Sequence, residues 1–213
     1  MKWLTEQRLL LSFIGGALLW SSAVFAGNSP EADVRVRGQA NAPLTLIEYS
    51  DFTCGYCLKF FKRTWPRIQT RYVDTGKVRF VYRDFPRGDQ GPGLDAAMAA
   101  RCAGAQGQYW AMHDRLFSEG GQLEKQVYLR HAAALNLDQA VFEQCMSDGR
   151  YTKAIFEDRR EANQWGFHGT PGFILVRTAA EPTEKEPAVA IPGAFPFEMF
   201  AEEIDRLLAS DKK

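Results

Sequence analysis

Short apolar runs and amphipathic segments alternate in the first half of the chain and predict strands and helices in turn. Residues 44–49 (LTLIEY) and 78–82 (VRFVY) are apolar runs of strand length. Between them one apolar face recurs at helical spacing, at Phe61, Trp65, Ile68 and Tyr72. Strand, helix and strand within about forty residues predict a βαβ unit with parallel strands. We expect Pro66 to kink this helix, because proline removes a helical hydrogen bond.

The second half of the chain begins with helices and returns to strands. Residues 93–165 carry no strand signal, and glycines divide them into amphipathic segments. Residues 172–176 (GFILV) and 188–191 are two strands joined by a charged loop, which predicts an antiparallel hairpin. A last amphipathic helix follows. The predicted order is βαβ, a helical block and ββα, which is an α/β fold.

The N-terminus has the pattern of a secretory signal peptide. Lys2 and Arg8 precede an uncharged run at residues 9–26, and small residues stand before a cleavage point after Ala26. The alternative is an uncleaved anchor, since the run approaches the length of a spanning helix. In either case we expect the folded part to be exported, to a periplasm or a similar compartment.

These features divide the chain into five predicted segments. They are a signal peptide at 1–26, a tail with a short edge strand at 27–43, the first half of the sheet domain at 44–92, a helical insertion at 93–165 and the second half of the sheet domain at 166–213.

Composition narrows the function mainly through charge and cysteine content. The 213 residues include 26 Lys and Arg against 26 Asp and Glu, which argues against a nucleic-acid-binding surface. One domain of this length can bury a full core. The chain has four cysteines, and thiols tend to pair in an oxidising compartment.

Cys54-Gly55-Tyr56-Cys57 is a C-x-x-C motif placed directly after a predicted strand and at a helix start. The free N–H groups of a first helical turn stabilise a thiolate there, so the pKa of the first cysteine should fall. Cys54 would be the exposed nucleophile. Cys57, one turn into the helix, would be more buried and would resolve the mixed disulfide.

Three other interpretations of the motif are a zinc site, a c-type haem site and a structural disulfide. A zinc site needs four ligands, and the remaining cysteines and histidines show no ligand spacing. A c-type haem needs His after the second Cys, where this chain has Leu58. A purely structural disulfide stays open. No metal and no cofactor is therefore expected. Pro171, just before the third strand, can be cis or an ordinary trans turn proline.

Four motifs in order resemble the DsbA-like branch of the thioredoxin superfamily, over roughly residues 35–209. They are EYSDFTCGYC at 48–57, YVDTGKVRFVYRDFP at 72–86, QYWAMHDRLF at 108–117 and GTPGF at 169–173. The resemblance implies a thioredoxin fold with a helical insertion. It also implies substrates that are exported, cysteine-containing proteins, and a membrane protein that reoxidises or reduces the enzyme.

The same resemblance assigns roles around the motif. It implies that Pro171 is cis and faces the two cysteines, and that backbone groups of Thr170 pair with an extended substrate chain. Glu48 matches a buried acid that can relay the proton of Cys57. The alternative for Glu48 is a solvent-facing strand residue.

The chain departs from the best-known oxidase of the family in two places, the dipeptide between the cysteines and position 170. Gly55 and Tyr56, beside the bound substrate, stand where that oxidase has Pro-His, and Thr170 stands where it has Val. These residues resemble the DsbC-type isomerases, which leaves the direction of catalysis open. Those isomerases are dimers with a long N-terminal domain, for which residues 27–43 leave no room. A monomer is therefore expected.

Cys102 and Cys145 lie on predicted helices of the insertion. They are either buried free thiols, a structural disulfide or a second redox pair, and export favours the disulfide. Trp65, Trp110 and Trp165 are expected in the core.

The sequence thus predicts an exported thiol–disulfide oxidoreductase that donates disulfides. The alternatives are a reductase or isomerase, and a binding or holdase module with a structural C-x-x-C.

Overall fold

The computed structural model describes residues 33–178 and 188–210. The predicted signal peptide lies outside the described residues, and so does most of the charged loop before residue 188. None of the helices in the described ranges is long and apolar enough to cross a membrane.

Five strands form one mixed sheet in the order β1-β3-β2-β4-β5. Their bounds are β1 Val36–Arg37, β2 Leu44–Ser50, β3 Val78–Asp84, β4 Gly172–Arg177 and β5 Val189–Ile191. β2 pairs in parallel with β3, and β4 pairs antiparallel with both β2 and β5. The predicted βαβ unit and hairpin are confirmed, and β2 lies at the centre of the sheet.

The helix after β2 is interrupted next to Pro66. α1 spans Gly55–Arg63, and after Thr64 a second helix, α2, spans Trp65–Ile68 and leads into a π-helical turn at Gln69–Val73. Pro66 lies in the first turn of α2, where a helix has no partner for the missing N–H group. The predicted disturbance of the helix at Pro66 agrees with this interruption, and the backbone at Thr64 keeps a right-handed helical conformation.

Five helices form the insertion between β3 and β4, as the helical periods predict. They are α3 Pro92–Gly104, α4 Tyr109–Ser118, α5 Lys125–Ala134, α6 Gln139–Asp148 and α7 Thr152–Gln164. The side chain of Asp138 caps α6 by accepting a hydrogen bond from Val141 N at 3.0 Å, and Gly149 ends it with φ +62°. α8, at Phe197–Ser210, follows β5.

Two apolar cores meet at the helix that carries the C-x-x-C motif. One core packs α8 and α2 against the sheet, and Phe60 of α1 enters it. The other fills the insertion, and Cys57 of α1 enters that one. Trp165 was expected in the core, but the prediction is wrong because this residue ends α7 and is 39% exposed.

A buried ionic cluster joins the insertion to the sheet. Arg101 of α3 donates from Nε to Asp84 Oδ2 and from Nη2 to Asp158 Oδ2, both at 2.6 Å. Asp158 of α7 also accepts from Arg35 Nη1 at 2.6 Å. Since each buried charge has a close partner, the cluster fixes where α3 and α7 sit on β3 without leaving an unpaired ion.

Candidate active site

The two cysteines of the motif lie where the central strand passes into α1. β2 ends at Ser50, a short turn follows, and Cys54 is the N-cap residue of α1. No side chain caps this helix end, so the N–H groups of the first turn face the Cys54 sulfur. Cys54 is 7% exposed and Cys57 is fully buried. The motif therefore offers one accessible sulfur and one protected sulfur, although Cys54 is less exposed than expected.

The surroundings of Cys54 favour its thiolate. A hydrogen bond from the Cys57 thiol lowers the pKa of Cys54 to about 5, although partial burial opposes this change. The Thr170 hydroxyl and the backbone N–H groups of Tyr56 and Cys57 add to the lowering. A thiol with this pKa is ionised at neutral pH, which is the state that attacks disulfides and leaves mixed disulfides.

The loop before β4 faces the Cys54 sulfur. The Thr170–Pro171 peptide bond is cis, and Cys54 Sγ, when it is protonated, donates to Thr170 O at 3.3 Å. The Thr170 hydroxyl oxygen is buried and has no hydrogen-bond partner among the described residues. Its proton is thus available to a thiolate at Cys54.

Cys57 and Glu48 form a buried pair beneath the accessible sulfur. Burial, the hydrogen bond to Cys54 and the charge of Glu48 hold the pKa of the Cys57 thiol well above its usual value. Glu48 is 3% exposed, and burial raises the pKa of its carboxyl to about 8. Its Oε1 has no hydrogen-bond partner among the described residues. The carboxyl is therefore protonated at neutral pH and lies inside the protein, not on a solvent-facing strand position.

Asp51 orders the turn before Cys54, and the sequence analysis missed it. Its Oδ1 accepts hydrogen bonds from Thr53 N at 2.7 Å and from Thr53 Oγ1 at 2.6 Å, and its Oδ2 accepts from Arg87 N at 3.0 Å. A Cβ at Gly93 would lie 3.0 Å from Asp51 Oδ1. The Asp-x-Thr spacing before the motif is the signal that could have found this turn.

A groove opens beside the reacting sulfur. Its volume is about 400 Å³, and its lining includes Tyr56 of the motif, Thr170 and Pro171 of the facing loop, and Phe195 before α8. The Tyr56 side chain stands 67% exposed at one wall. Gly55 leaves open space beside the sulfur, since a Cβ there would meet no atom within 4 Å. The groove can receive an extended chain next to Cys54.

The other two cysteines are bonded to each other. Cys102 of α3 and Cys145 of α6 form a disulfide with an S–S distance of 2.01 Å, and they are 1% and 2% exposed. Neither sulfur reaches the groove. Within residues 33–178 and 188–210 there is also no group of three or more His, Cys, Asp or Glu side chains that could hold a metal ion.

Comparisons with known families and curated proteins agree with this geometry. A family model described as thioredoxin matches residues 31–188. The chain is 37% identical over 147 residues to the Na(+)/H(+) antiporter NhaA 1 of Salinispora arenicola, covering 68% of this chain and 22% of that protein. The chain is also 33% identical over 146 residues to the Na(+)/H(+) antiporter NhaA of Herminiimonas arsenicoxydans, covering 68% of this chain and 22% of that protein. The chain thus spans about a fifth of the length of these relatives.

Solved structures give matches over most of the chain. The crystal structure of α-DsbA1 from Wolbachia pipientis is similar with a TM-score of 0.72 and 29% identity, covering 83% of this chain and 91% of that one. A thioredoxin-like oxidoreductase from Silicibacter pomeroyi has a TM-score of 0.67 and 27% identity, covering 82% of this chain and 91% of that one. BdbD from Bacillus subtilis, at 18% identity and a TM-score of 0.68, with coverage of 81% and 91%, shares the fold.

Proposed function

Because the chain belongs to the thioredoxin family, in its DsbA-like branch of thiol:disulfide oxidoreductases, we propose that it introduces disulfides into exported proteins by dithiol–disulfide exchange. The observation that carries the direction is the Cys54 thiolate, whose pKa is lowered to about 5. A stabilised thiolate stabilises the reduced enzyme, and an enzyme with a stable reduced form is a strong oxidant.

The reaction begins with the Cys54–Cys57 disulfide. A substrate thiolate attacks Cys54 Sγ, the Cys54–Cys57 bond breaks, and a mixed disulfide forms between Cys54 and the substrate. The substrate's second thiolate then attacks its own sulfur in the mixed disulfide. Cys54 leaves as a thiolate, and two electrons have passed from the substrate dithiol to the enzyme.

Glu48 supplies the proton that the first step requires. Cys57 leaves as a thiolate in a buried position where the thiol form is strongly favoured. The neighbouring Glu48 carboxyl is protonated at neutral pH, so it can donate its proton to Cys57 Sγ. When the enzyme is reoxidised, the same carboxylate takes the proton back.

The loop opposite Cys54 holds the substrate chain. Thr170 O lies 3.3 Å from Cys54 Sγ, and β4 begins two residues later, at Gly172. An extended substrate would pair with the backbone of Thr170 beside Pro171, with Gly55 and Tyr56 on its other side.

The setting of the reaction follows from the predicted signal peptide at residues 1–26. We propose an exported, monomeric enzyme in a periplasm or similar compartment, released by cleavage or held by an uncleaved N-terminal anchor. Its partners would be cysteine-containing exported proteins and a membrane protein that reoxidises it.

A reductase or isomerase is the second candidate, and the Gly55-Tyr56 dipeptide with Thr170 is the observation that favours it. The reduction potential separates the candidates. The chain from residue 27 is equilibrated in glutathione buffers, free thiols are trapped by alkylation, and the products are counted by mass. A midpoint near about −120 mV supports the oxidase, and about −180 to −270 mV supports the reductase or isomerase. A pair that stays oxidised below about −300 mV would mean a structural C-x-x-C in a binding or holdase module.

A further inference from the structure

One exposed face of α1 carries three positive charges. Lys59, Lys62 and Arg63 are all exposed, and none of them forms an ion pair with a carboxylate of the described residues. The cations that follow differ. Arg67 pairs with Glu198 at 2.7 Å and Arg71 pairs with Asp205 at 2.7 Å. The three cations without an ion pair thus lie on α1, the helix that begins after Cys54, whereas the paired ones lie on α2 and the π-helical turn after it.

Lys59 and Arg63 border a groove that starts at Tyr56 and Thr170, beside the reacting sulfur. The cavity beside Tyr56 and Thr170 shares Lys59, Ala194 and Phe195 with a second cavity of about 310 Å³, which continues along the helix. We call the two together the α1 groove. α1 and α2 form one wall, with Lys59, Arg63 and Arg67, and residues 192–198 form the other.

The lining of the α1 groove defines what fits it. Its second wall is apolar and aromatic, with Pro192, Phe195 and Phe197. The first wall keeps two net positive charges, because the charge of Arg67 is balanced by Glu198. An extended chain that binds there gains from apolar contact on one side and from carboxylates on the other.

We propose that the α1 groove selects protein substrates whose reacting cysteine is flanked by Asp or Glu residues. The inference rests on the proposed exchange function and names its substrate class. The occupant is a polypeptide and not an anionic membrane, because Lys59 and Arg63 line a concave trough whose end at Tyr56 and Thr170 lies beside Cys54. The whole chain also has balanced charge, 26 against 26, so it offers no general attraction to anionic surfaces.

The selection should be strong at low salt and weak at high salt. Electrostatic steering raises association rates about tenfold or more when charges line the entry to a site. Exposed charges are screened over about 10 Å at 0.1 M salt. The expected preference is therefore about tenfold in the rate of exchange at low ionic strength, falling towards equality in about 0.5 M salt.

The test compares three peptides that contain the same cysteine pair, flanked on both sides by glutamate, glutamine or lysine. Each reduced peptide is mixed with the oxidised protein, and its oxidation is followed by quenched alkylation and mass spectrometry. Flanking charge also changes the pKa of the peptide thiols, so each rate is divided by the same peptide's rate with the uncharged 2-hydroxyethyl disulfide. The expected order is glutamate, glutamine, lysine.

Two variants locate the effect. The triple variant Lys59→Glu, Lys62→Glu, Arg63→Glu should reverse the order, and the double variant without the change at Lys59, which is nearest the cysteines, should reduce the preference. Rates for each variant are divided by its own rate with dithiothreitol, which is uncharged. The control Lys125→Glu, Lys153→Glu, Arg160→Glu has the same net charge change on α5 and α7, and should keep the wild-type order.

The outcomes separate the groove from the activity. If the protein oxidises all three peptides at equal normalised rates, or if the control reverses the order as well, the groove proposal is overturned while the exchange function stands. If no peptide is oxidised faster than by 2-hydroxyethyl disulfide, the proposed function itself fails. Binding to phosphatidylcholine vesicles only when they contain phosphatidylserine, lost in the triple variant without any peptide preference, would assign the charges to a membrane surface instead.

Discussion

The chain holds two cysteine pairs in opposite surroundings. Cys54 and Cys57 are free and lie at the first turn of α1, with one sulfur beside an open groove. Cys102 and Cys145 are bonded to each other between α3 and α6, separated by 43 positions and buried in the insertion core. Both pairs consist of cysteines, but they differ in their position on the helices.

The difference shows that position decides what a thiol does. At the start of α1, helix N–H groups and a neighbouring thiol stabilise the Cys54 thiolate. In the insertion, apolar side chains surround both sulfurs, and the two residues are 1% and 2% exposed, so a reactant has little access to them. The first site is built to change its bonding, whereas the second holds two distant parts of the chain together.

Removal of the reacting sulfur should have the largest effect on activity. We expect Cys54→Ser to abolish the oxidation of a dithiol peptide, because serine cannot form the mixed disulfide. The matched control is Cys102→Ala with Cys145→Ala, which should keep turnover. Persisting turnover in Cys54→Ser would show that another group does the chemistry. Loss of turnover in the folded control would give the second pair a redox role.

Glu48→Gln tests whether the buried Glu48 carboxyl, beneath Cys54 and Cys57, lowers the stability of the folded protein when it ionises. The pKa of Glu48 rises from 4.5 to about 8 on folding, so the folded state holds the proton after the unfolded state has lost it. The unfolding free energy of the reduced protein, relative to that of reduced Glu48→Gln, should therefore fall as pH rises from 4.5 to about 8, by up to about 5 kcal/mol. Glu48→Gln should lack this fall. Parallel pH profiles in urea unfolding would contradict the prediction.

The disulfide between Cys102 and Cys145 should stabilise the folded protein. Cys102→Ala with Cys145→Ala opens a loop of 43 positions, which lowers the unfolding free energy by up to about 4 kcal/mol in the chain-entropy model. Urea unfolding at one pH measures the loss. A change below about 1 kcal/mol would mean that the insertion core alone holds α3 and α6 together.

A smaller effect sharpens the account of Cys54. The Cys57 thiol is the main cause of the lowered pKa of Cys54, so Cys57→Ala should raise that pKa by about one unit or more. The pH dependence of alkylation by iodoacetamide reports it, with a midpoint near 5 in the reduced wild type. Cys57→Ser keeps a hydroxyl donor and should raise the pKa less. Equal midpoints in all three proteins would assign the lowering to the helix and Thr170.

Much of the sheet could be predicted because its signals are local. Apolar runs of strand length mark β2, β3 and β4, and each lies within a residue or two of its predicted bounds. Pro66 predicted a disturbance of the first helix, but not that the interruption falls at Thr64, where the side chain makes a distant contact. Thr64 Oγ1 donates to Phe195 O at 3.2 Å, and no local pattern reports that bond. Trp165 was misplaced for a similar reason, since hydrophobicity alone does not say which helix end reaches the surface.

The site was predictable where a motif carries it. The C-x-x-C spacing at a helix start predicts the arrangement of Cys54 and Cys57, and the resemblance supplied Glu48 and Pro171. The buried ionic cluster was missed, although Arg101 within an Ala-rich helix was a signal for it. Its partners come from β3 and α7, so charge pairing over such distances along the chain becomes visible only in the folded structure.

The central position of β2 in the sheet determines which strands unfold locally first. All seven of its residues pair with β3, and six of them pair with β4 as well. The edge strands have only two and three residues. Fraying begins at such short edges, so amide hydrogens there exchange with solvent first, and those of β2 exchange last. The reactive sulfur is thus anchored at the end of the slowest-exchanging strand, and the molecule can loosen at both margins while the distance between Cys54 and Thr170 is kept.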